Sequence, residues 1–359
     1  MNIVEIPVEG YETVLQCHDK RSGLQAIISI HNTTLGPALG GMRMWPYSVL
    51  TEALSDANRL AEDMTYKAAV ADIKHGGGRA VILGHPQTDK TEALLRAMGR
   101  FIHTLGGEYI TGEDVGTTVN DIIVVHQEPP HVAGLPRDLG SSGAPSPFTA
   151  LGVFLGIKTC AKWVYQSDSL QGLRIAVQGC GNVASHLCWH LHYAGAALMV
   201  TDVVPKKAHR LAQQYDAQVI VPEMIYDVPC DIYAPCALGG TLNDHTVLRL
   251  QCQIVAGAAD NQCLRPEHSD VLRQRGIVYA PDFVINAGGL LNVAAERAPE
   301  GYDEVRVCAQ VRHLACTLQQ ILDTAQRQNI STDRAAVELA RRRLPKVHQP
   351  RVRMLTEAS

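Results

Sequence analysis

Three consecutive glycines precede a cationic side chain in the stretch KHGGGRAVI, residues 74–82. Glycine lets the backbone adopt unusual conformations and approach a ligand closely, so Gly76–Gly78 predict a close approach that ends at Arg79. A cation at such a place either holds an anionic group or exchanges a proton. Arginine keeps its proton at physiological pH, which favours the holding role for Arg79.

Two other charged residues lie where they can contribute to the same chemistry. Lys67 closes the stretch MTYK near the end of a predicted helix, and Asp114 follows a short β run in TGEDVGTT, residues 111–118. Two cations at one site fit an anionic substrate group, and a carboxylate orients an ammonium group. The candidate catalytic residues are therefore Lys67, Arg79 and Asp114.

A glycine-rich turn, GCGNVA, predicts a nucleotide site. It directly follows the predicted strand RIAVQ and precedes the apolar helix VASHLCWHL, which is the context that the G-x-G-x-x-A fingerprint requires. The helix N-terminus supplies N–H groups and partial positive charge for a pyrophosphate. The alternative is a turn that binds no ligand. The predicted cofactor-binding residues are Gly179, Gly181, Asn182, Val183 and Ala184.

Asp202 ends the next predicted strand, at about the ~20-residue spacing of an acid that binds the ribose 2′-hydroxyl. A carboxylate there repels a 2′-phosphate, so the predicted cofactor is NAD rather than NADP. Lys206 and Lys207 lie nearby and weaken that preference, because they can meet a phosphate.

The composition describes a globular protein of 359 residues, long enough for two domains. With 32 basic and 36 acidic residues it lacks the basic excess of a nucleic-acid-binding protein. No run reaches the ~18 apolar residues of a membrane helix, and the N-terminus does not resemble a signal peptide. We expect a cytoplasmic protein whose partners are small molecules, with no nucleic acid and no membrane.

Cysteine and histidine spacing disfavours a metal site. None of the ten cysteines forms a C-x-x-C pair, so they are expected to be reduced and mostly buried. His186 and His190 have helical spacing, but Leu187 stands where H-E-x-x-H has glutamate. We expect these histidines to be solvated or capping residues and predict no metal.

The elements that must position these residues change in character along the chain. Predicted strands at 24–31 and 80–83 and helices at 51–69 and 91–105 precede a segment rich in proline and glycine at 128–147, where we place a domain boundary. Beyond it, short β runs alternate with helices, which predicts a doubly wound parallel sheet. These runs cover residues 174–179, 197–203, 231–236, 253–259 and 277–289.

Together with these motifs, five other stretches make the chain resemble the Glu/Leu/Phe/Val amino acid dehydrogenase family, and most closely its leucine dehydrogenase branch. The resemblance runs from about residue 10 to residue 340 in the family's order. The additional stretches are GPALGGMRMWPY (36–47), GSSGAPSP (140–147), APCALGG (234–240), AGAADNQ (256–262) and VINAGGLLNV (284–293).

The resemblance implies an α/β fold with an N-terminal α/β substrate domain, a C-terminal Rossmann domain with a doubly wound parallel sheet, and an active-site cleft between them. The expected boundaries are 1–140 for the substrate-binding and oligomerisation domain and 141–325 for the NAD-binding domain. Residues 326–359 are expected to be a helical segment that packs back on the N-terminal domain. Relatives are homo-oligomers, and the strand at 24–31 is a candidate edge for pairing.

The resemblance also implies the reaction, which is NAD-dependent oxidative deamination of an apolar L-amino acid to a 2-oxo acid and ammonia. By this resemblance Lys67 binds the substrate carboxylate, Asp114 handles the amino group, and Thr149 and Asn261 lie by the nicotinamide. The implied side-chain pocket consists of Gly40, Met64, Gly112, Gly289, Leu290 and Val293. Gly112 and Leu290 resemble phenylalanine-type members, which leaves leucine, valine, isoleucine and phenylalanine open.

Arg79 departs from the family, which has a general-base lysine at this position. A buried lysine can be tuned to a pKa near ~7 to 8, whereas arginine effectively never deprotonates. Losing a general base costs roughly 10² to 10⁴ in rate. Two hypotheses follow: a working dehydrogenase, or an impaired member that binds NAD and amino acid without efficient turnover. Lys74 is a candidate substitute base, although an exposed loop lysine is the simpler interpretation.

Overall fold

The computed structural model describes residues 1–128, 131–298 and 300–345, and its contacts divide the chain into two compact units. The first unit comprises residues 1–144, 293–302 and 342–359; the second comprises 145–292 and 303–341. The chain first passes from one unit to the other between Ala144 and Pro145, within the segment at 128–147 where the sequence predicted a domain boundary. The predicted domain limits stay a prediction; by contacts, residues 303–341 cluster with the second unit. Pro129, Pro130, Pro299 and residues 346–359 lie outside the described residues.

A six-stranded mixed sheet forms the first unit. Its order is β1-β2-β3-β5-β4-β6, in which the first four strands pair antiparallel while β4 pairs parallel with both β5 and β6. The strands are β1 (Asn2–Glu5), β2 (Thr13–Asp19), β3 (Leu24–Asn32), β4 (Ala38–Trp45), β5 (Gly76–Leu83) and β6 (Tyr109–Glu113).

Helices cover both faces of this sheet. Helix α1 (Leu50–Val70) packs on β3 and β5, while α2 (Glu92–His103) and α3 (Val119–His126) cover the other face. Alternation along β5 turns Gly77, Arg79 and Val81 toward α1. A Cβ on Gly77 would lie 2.1 Å from the backbone nitrogen of Thr65, so the glycine is needed for α1 to approach the strand.

The strand predicted at 24–31 is present as β3, but its expected role as a free edge is wrong. β3 is an interior strand that pairs with β2 on one side and β5 on the other. The sequence hid this because β5 is far along the chain. Strands β1 and β6 stand at the two ends of the sheet.

A six-stranded sheet with parallel pairing throughout forms the second unit, in the order β12-β11-β10-β7-β8-β9. The predicted doubly wound parallel sheet is confirmed. Its strands are β7 (Arg174–Gln178), β8 (Ala197–Thr201), β9 (Gln218–Val219), β10 (Ile232–Pro235), β11 (Ile254–Val255) and β12 (Val278–Tyr279).

Helices connect these strands and complete the chain. Those from α4 onward are α4 (Ser146–Tyr165), α5 (Asn182–Tyr193), α6 (Pro205–Tyr215), α7 (Thr246–Arg249), α8 (Glu267–Gln274), α9 (Asp282–Ile285), α10 (Gly288–Ala294), α11 (Glu304–Gln328) and α12 (Thr332–Arg343). Among the described residues, no helix is both long and apolar enough to span a bilayer.

The β run predicted at 277–289 contains only a two-residue strand, with helix and turn in the remainder, which corrects the sequence interpretation. Only Val278–Tyr279 forms strand, and α9 and the start of α10 follow. A short, continuous apolar run fits a buried strand and a buried helix equally well, so its periodicity could not decide. Pro281, which ends the strand and precedes α9, marks the change.

Candidate active site

Arg79 lies on the α1 face of β5 with only 4% of its surface exposed. The nearest carboxylate is that of Asp114, whose Oδ2 lies 3.3 Å from an Arg79 terminal nitrogen. Burial of a guanidinium requires such a partner, because an unpaired charge is costly away from water. The structure therefore brings together two of the three predicted catalytic residues.

Asp114 follows β6 directly, at the carboxyl end of a strand that runs parallel to β4. Its backbone N–H donates to the Thr117 hydroxyl oxygen at 3.0 Å, and this hydroxyl donates to the Met42 carbonyl at 2.7 Å. The turn at 114–117 is thus fixed to β4. The fixed turn holds the Asp114 carboxylate beside Arg79.

Arg43, on β4, is a second guanidinium on the same carboxylate. Its Nε donates to Asp114 Oδ2 at 3.0 Å, and a terminal nitrogen donates to Asp56 Oδ2 at 2.9 Å. Tyr47 donates to that Asp56 oxygen at 2.6 Å. Burial alone would lower the pKa of Arg43. The carboxylates of Asp114 and Asp56 outweigh burial and raise this pKa above its usual value, so the guanidinium stays charged. Burial opposes ionisation of Asp56, yet Arg43 holds its pKa below the usual range.

The space for this ion pair depends on Gly41. A Cβ at this position would lie 2.7 Å from the Arg79 terminal nitrogen and 2.8 Å from the Asp114 Cβ. The backbone here is fixed from the opposite face by Tyr109, whose hydroxyl lies 2.9 Å from the carbonyl oxygens of both Gly40 and Gly41. A side chain at Gly41 would therefore displace the charged groups.

Lys67 is buried on α1, with 7% of its surface exposed. It follows Met64 by three residues, so the two share a face of the helix. That face meets β4, since the Met64 Cγ lies 3.6 Å from where a Cβ on Gly40 would stand. The third predicted catalytic residue thus lies on α1, which packs against β4 and against β5, the strand of Arg79.

Arg79 also carries an unsatisfied donor. Its Nε is buried and has no hydrogen-bond partner within the described part of the chain. Buried donors are nearly always satisfied in native proteins, so an orphan points to a ligand or water as its partner. This N–H is therefore available to an acceptor on a bound molecule.

Lys74 is an exposed residue two positions before β5. An extended chain advances about 3.3 Å per residue, which separates Lys74 from Arg79 by roughly 16 Å. That distance exceeds the reach of a lysine side chain and favours the interpretation as an exposed loop lysine. The neighbouring His75 is buried, and burial lowers the pKa of its imidazole.

The glycine turn between β7 and α5 fits a dinucleotide. Gly179 has φ +97°, and a Cβ there would lie 2.8 Å from Ala237, so only glycine allows this turn. A Cβ on Gly181 would meet nothing within 4 Å, which leaves open space in front of the N-terminus of α5. Asn182 and Val183 begin that helix, and Ala184 is the first buried residue of its first turn.

Asp202 immediately follows β8 and joins the turn through its carboxylate. One oxygen accepts from the Cys180 backbone N–H and the other from the Val204 backbone N–H, both at 2.8 Å. The carboxylate is therefore held at the mouth of the glycine turn, where the fingerprint places the ribose. Lys206 and Lys207 are exposed at the start of α6.

Thr149 and Asn261, the predicted nicotinamide neighbours, both belong to the second unit. Asn261 has φ +53°, and its buried side-chain nitrogen has no partner among the described residues. That orphan donor fits the carboxamide oxygen of a nicotinamide. The Thr149 hydroxyl oxygen lies 2.5 Å from where a Cβ on Gly289 would stand, so these two predicted residues are neighbours.

The remaining pocket residues are distributed over the two units. Gly112 lies on β6, where a Cβ would stand 3.2 Å from the Ala133 carbonyl oxygen. Leu290 and Val293 are partly buried on α10, and the Val293 side chain lies 3.9 Å from where a Cβ on Gly134 would stand. Gly112 and Val293 belong to the first unit and Leu290 to the second.

Sequence reasoning assigned no role to Arg43, Asp56, Tyr47 or Gly41. The stretch GPALGGMRMWPY contains three of them, but Asp56 lies on α1. The one signal in the sequence was the alternation of side chains along β4, which turns Gly41 and Arg43 to the same face of the sheet.

Among the described residues, no cluster of three or more His, Cys, Asp or Glu side chains can hold a metal ion. His186 is exposed, and His190 stacks on Phe154 with ring centroids 5.0 Å apart. All ten cysteines are free thiols.

The two-unit fold, the glycine turn and the paired charges are the features expected of a nucleotide-dependent oxidoreductase. Residues 11–131 match the family model described as Glu/Leu/Phe/Val dehydrogenase, dimerisation domain, and residues 196–351 match Glutamate/Leucine/Phenylalanine/Valine dehydrogenase. The chain therefore belongs to the Glu/Leu/Phe/Val dehydrogenase family, whose members are amino acid dehydrogenases.

Individual relatives agree along nearly the full length. Leucine dehydrogenase of Geobacillus stearothermophilus is 51% identical over 95% of this chain and 92% of its own length. L-tryptophan dehydrogenase of Nostoc punctiforme is 49% identical over 93% and 94%. The crystal structure of L-tryptophan dehydrogenase from Nostoc punctiforme matches with a TM-score of 0.76 and 47% identity, covering 93% of this chain and 96% of that one.

Proposed function

We propose that the protein catalyses NAD-dependent oxidative deamination of an apolar L-amino acid to the 2-oxo acid and ammonia. The observation that carries this proposal is the Asp114 carboxylate, which is held between the guanidinium groups of Arg43 and Arg79. Family membership supplies the reaction class, and this ion-paired carboxylate supplies a group to receive the substrate ammonium.

The chain's own residues have separate tasks in this reaction. Lys67 binds the substrate carboxylate and Asp114 binds the amino group, so the two fix Cα between them. When water adds to the imine, negative charge builds up on the oxygen bonded to this carbon, and the orphan Nε–H of Arg79 donates to that oxygen. Arg79 cannot take the proton of that water, because a guanidinium does not titrate at physiological pH. The proton passes instead through the Asp114 carboxylate to the nitrogen that leaves as ammonia.

Gly179, Gly181 and the N-terminus of α5 would hold the pyrophosphate of NAD, and Asn261 with Thr149 would hold the nicotinamide carboxamide. When bound, NAD supplies the acceptor for the hydrogen of Cα with its electron pair. Asp202 supports NAD over NADP, because its fixed carboxylate accepts from a ribose 2′-hydroxyl and repels a 2′-phosphate.

The substrate belongs to the apolar amino acids. The proposed pocket residues Gly40, Met64, Gly112, Gly289, Leu290 and Val293 include no charged side chain that would bind a second carboxylate. Gly112 leaves volume for a ring, and the similar proteins include both leucine and tryptophan dehydrogenases. Leucine, isoleucine, valine, phenylalanine and tryptophan form the test panel.

The experiment is an assay of NADH formation with this panel, with L-glutamate as the control substrate and NADP in place of NAD. We expect turnover within the panel, none with glutamate, and kcat/KM at least about 100-fold higher with NAD. A clear preference for glutamate would refute the substrate class. Equal use of NADP would refute the role of Asp202.

A second candidate function rests on Arg79 alone. The site then binds NAD and amino acid without efficient turnover, because the family's titratable base is replaced by a permanent cation. Tight amino-acid binding without measurable NADH formation would favour this candidate. Fast turnover with any L-amino acid would exclude it.

We further propose that the protein is a cytoplasmic homo-oligomer. Ten free thiols support a reducing compartment. The match of residues 11–131 to a dimerisation domain supports association through the first unit.

A further inference from the structure

We infer that Arg43 is a positioning residue for substrate binding: its guanidinium occupies one oxygen of Asp114, which leaves the other oxygen for the ammonium group of the amino acid. This inference rests on the proposed function, in which Asp114 receives the ammonium. Arg43 itself does not contact the substrate. It acts by orienting Asp114, which does.

The geometry of Asp114 separates its two oxygens. Arg43 Nε lies 3.0 Å and the Arg79 terminal nitrogen 3.3 Å from Oδ2, whereas Oδ1 receives no hydrogen bond from any residue that the structure describes. Arginine and carboxylate groups readily form a two-point pair that engages both oxygens. Because Arg43 already occupies Oδ2, Arg79 meets this oxygen with one nitrogen and does not claim Oδ1.

Arg43 is itself fixed from its other side. Asp56 on α1 accepts from a terminal nitrogen of Arg43 at 2.9 Å, and Tyr47 donates to the same Asp56 oxygen at 2.6 Å. The Arg43 side chain is 18% exposed and that of Asp56 16% exposed, so neither is free to reorient in water. The helix therefore sets the direction of Arg43, and Arg43 sets that of Asp114.

This arrangement also balances charge. Asp114 and Asp56 together meet the guanidinium groups of Arg43 and Arg79, which leaves no net charge in the group of four. Without Arg43, Asp56 loses its buried partner, and Arg79 can rotate to pair with both oxygens of Asp114. The expected consequence is a specific loss of ammonium recognition while carboxylate and side-chain recognition persist.

The test compares two ligands that differ only in the amino group. Binding of L-leucine and of 4-methylpentanoate, which keeps the carboxylate and side chain, is measured by calorimetry on the full chain with NADH present. Arg43→Gln should weaken L-leucine binding about 10- to 100-fold, the range for a hydrogen bond to a charged group, and change 4-methylpentanoate binding less than about twofold. Arg43→Lys should recover part of the loss, because it keeps the charge at one point.

Two further variants control for structure. Asp56→Asn should weaken L-leucine binding in the same selective way but less, because Arg43 remains present though poorly oriented. Arg59→Gln should leave both ligands unaffected, since Arg59 is a more exposed residue whose only ion pair with a described residue is with Asp56, at 3.5 Å. Thermal unfolding of each variant reports whether the fold is intact.

Three results would overturn the inference. Binding of L-leucine by Arg43→Gln as tight as that of the wild type, or tighter, would make Arg43 a mere counter-charge. Equal weakening of both ligands in a folded variant would indicate general disruption of the site. A wild type that binds L-leucine no better than 4-methylpentanoate would show that Asp114 does not receive the ammonium. Failure of the proposed function is distinct, because it is absence of turnover despite selective L-leucine binding.

Discussion

At the scale of single residues, Arg79 is the candidate catalytic residue at which the sequence predicts a departure from the family. The guanidinium is buried, its terminal nitrogen pairs with Asp114, and its Nε has no described partner. By the resemblance it stands where a proton-transferring lysine is expected, and it has the chemistry of a permanent hydrogen-bond donor. Substitution at this one position separates the two roles.

Arg79→Lys is expected to raise the rate of oxidative deamination by at least ~10². It restores a titratable amine. Burial lowers the pKa of a lysine here, and the Arg43 guanidinium offsets the Asp114 carboxylate, which would otherwise raise it. The measurement is kcat with the preferred amino acid across pH, where a new ionisation limb should appear. An unchanged or slower enzyme would show that the chemistry is built around arginine.

Arg79→Ala and Lys74→Ala complete this comparison. Arg79→Ala should abolish the remaining rate if the guanidinium stabilises the developing oxyanion, and should do little harm if it is a passive cation. Lys74→Ala should leave kcat unchanged, because Lys74 lies roughly 16 Å along the chain from Arg79. A large loss in Lys74→Ala would identify a relocated base.

At the scale of elements, the first turn of α12 contains a carboxyl group with an unusual titration. Burial, with smaller contributions from the charges of Asp282 and Asp270, raises the pKa of Asp333 to about 7 against the opposing effect of Arg334. The unfolded value is about 3.9, so the folded state retains a proton that the unfolded state releases. This stabilisation is complete below about pH 4 and is lost as the pH rises toward 7.

Asp333→Asn should therefore flatten the pH dependence of stability. Asparagine stays neutral, so the variant should match the wild type near pH 4 and exceed its free energy of unfolding by roughly 2 to 4 kcal/mol above pH 7. Denaturant unfolding at several pH values measures this. Asp323→Asn, an exposed change on α11, is the control and should follow the wild type. An Asp333→Asn curve parallel to the wild type would contradict the assignment.

At the scale of the whole molecule, the first sheet has one open edge among its described strands. The outer side of β6 is occupied, because Thr111 exchanges backbone hydrogen bonds with His131 and Ala133. β1 pairs only with β2, and Val4 on it is 49% exposed. An apolar edge strand of this kind is a template for pairing with another chain.

Light scattering is expected to give a mass that is a multiple of the 39.0 kDa chain. Val4→Lys should shift this mass downward if β1 lies in the interface, because a charged edge resists pairing. Val305→Lys, at a 78% exposed position on α11, is the matched control and should leave the mass unchanged. A monomeric wild type in dilute solution would contradict the proposed association.

The sequence by itself determined the features that depend on neighbouring residues. Alternating β runs and helices predicted the parallel sheet of the second unit, and the glycine-rich stretch predicted the turn between β7 and α5 in the right strand-to-helix context. Lys67 near the end of α1 and Asp114 after β6 were also placed correctly. Each rests on local periodicity or turn chemistry, which acts within a few residues.

Only the tertiary structure decided which charges meet and which strands are neighbours. Arg43 reaches Asp114 across 71 residues because β4 and β6 are parallel, and Asp56 joins them because α1 packs on the same sheet. The interior place of β3 likewise depends on its pairing with the distant β5. Parallel pairing requires a long crossover whose closure leaves no local signature, so neither the occupied oxygen of Asp114 nor the orphan Nε of Arg79 can be read from residue types and spacing.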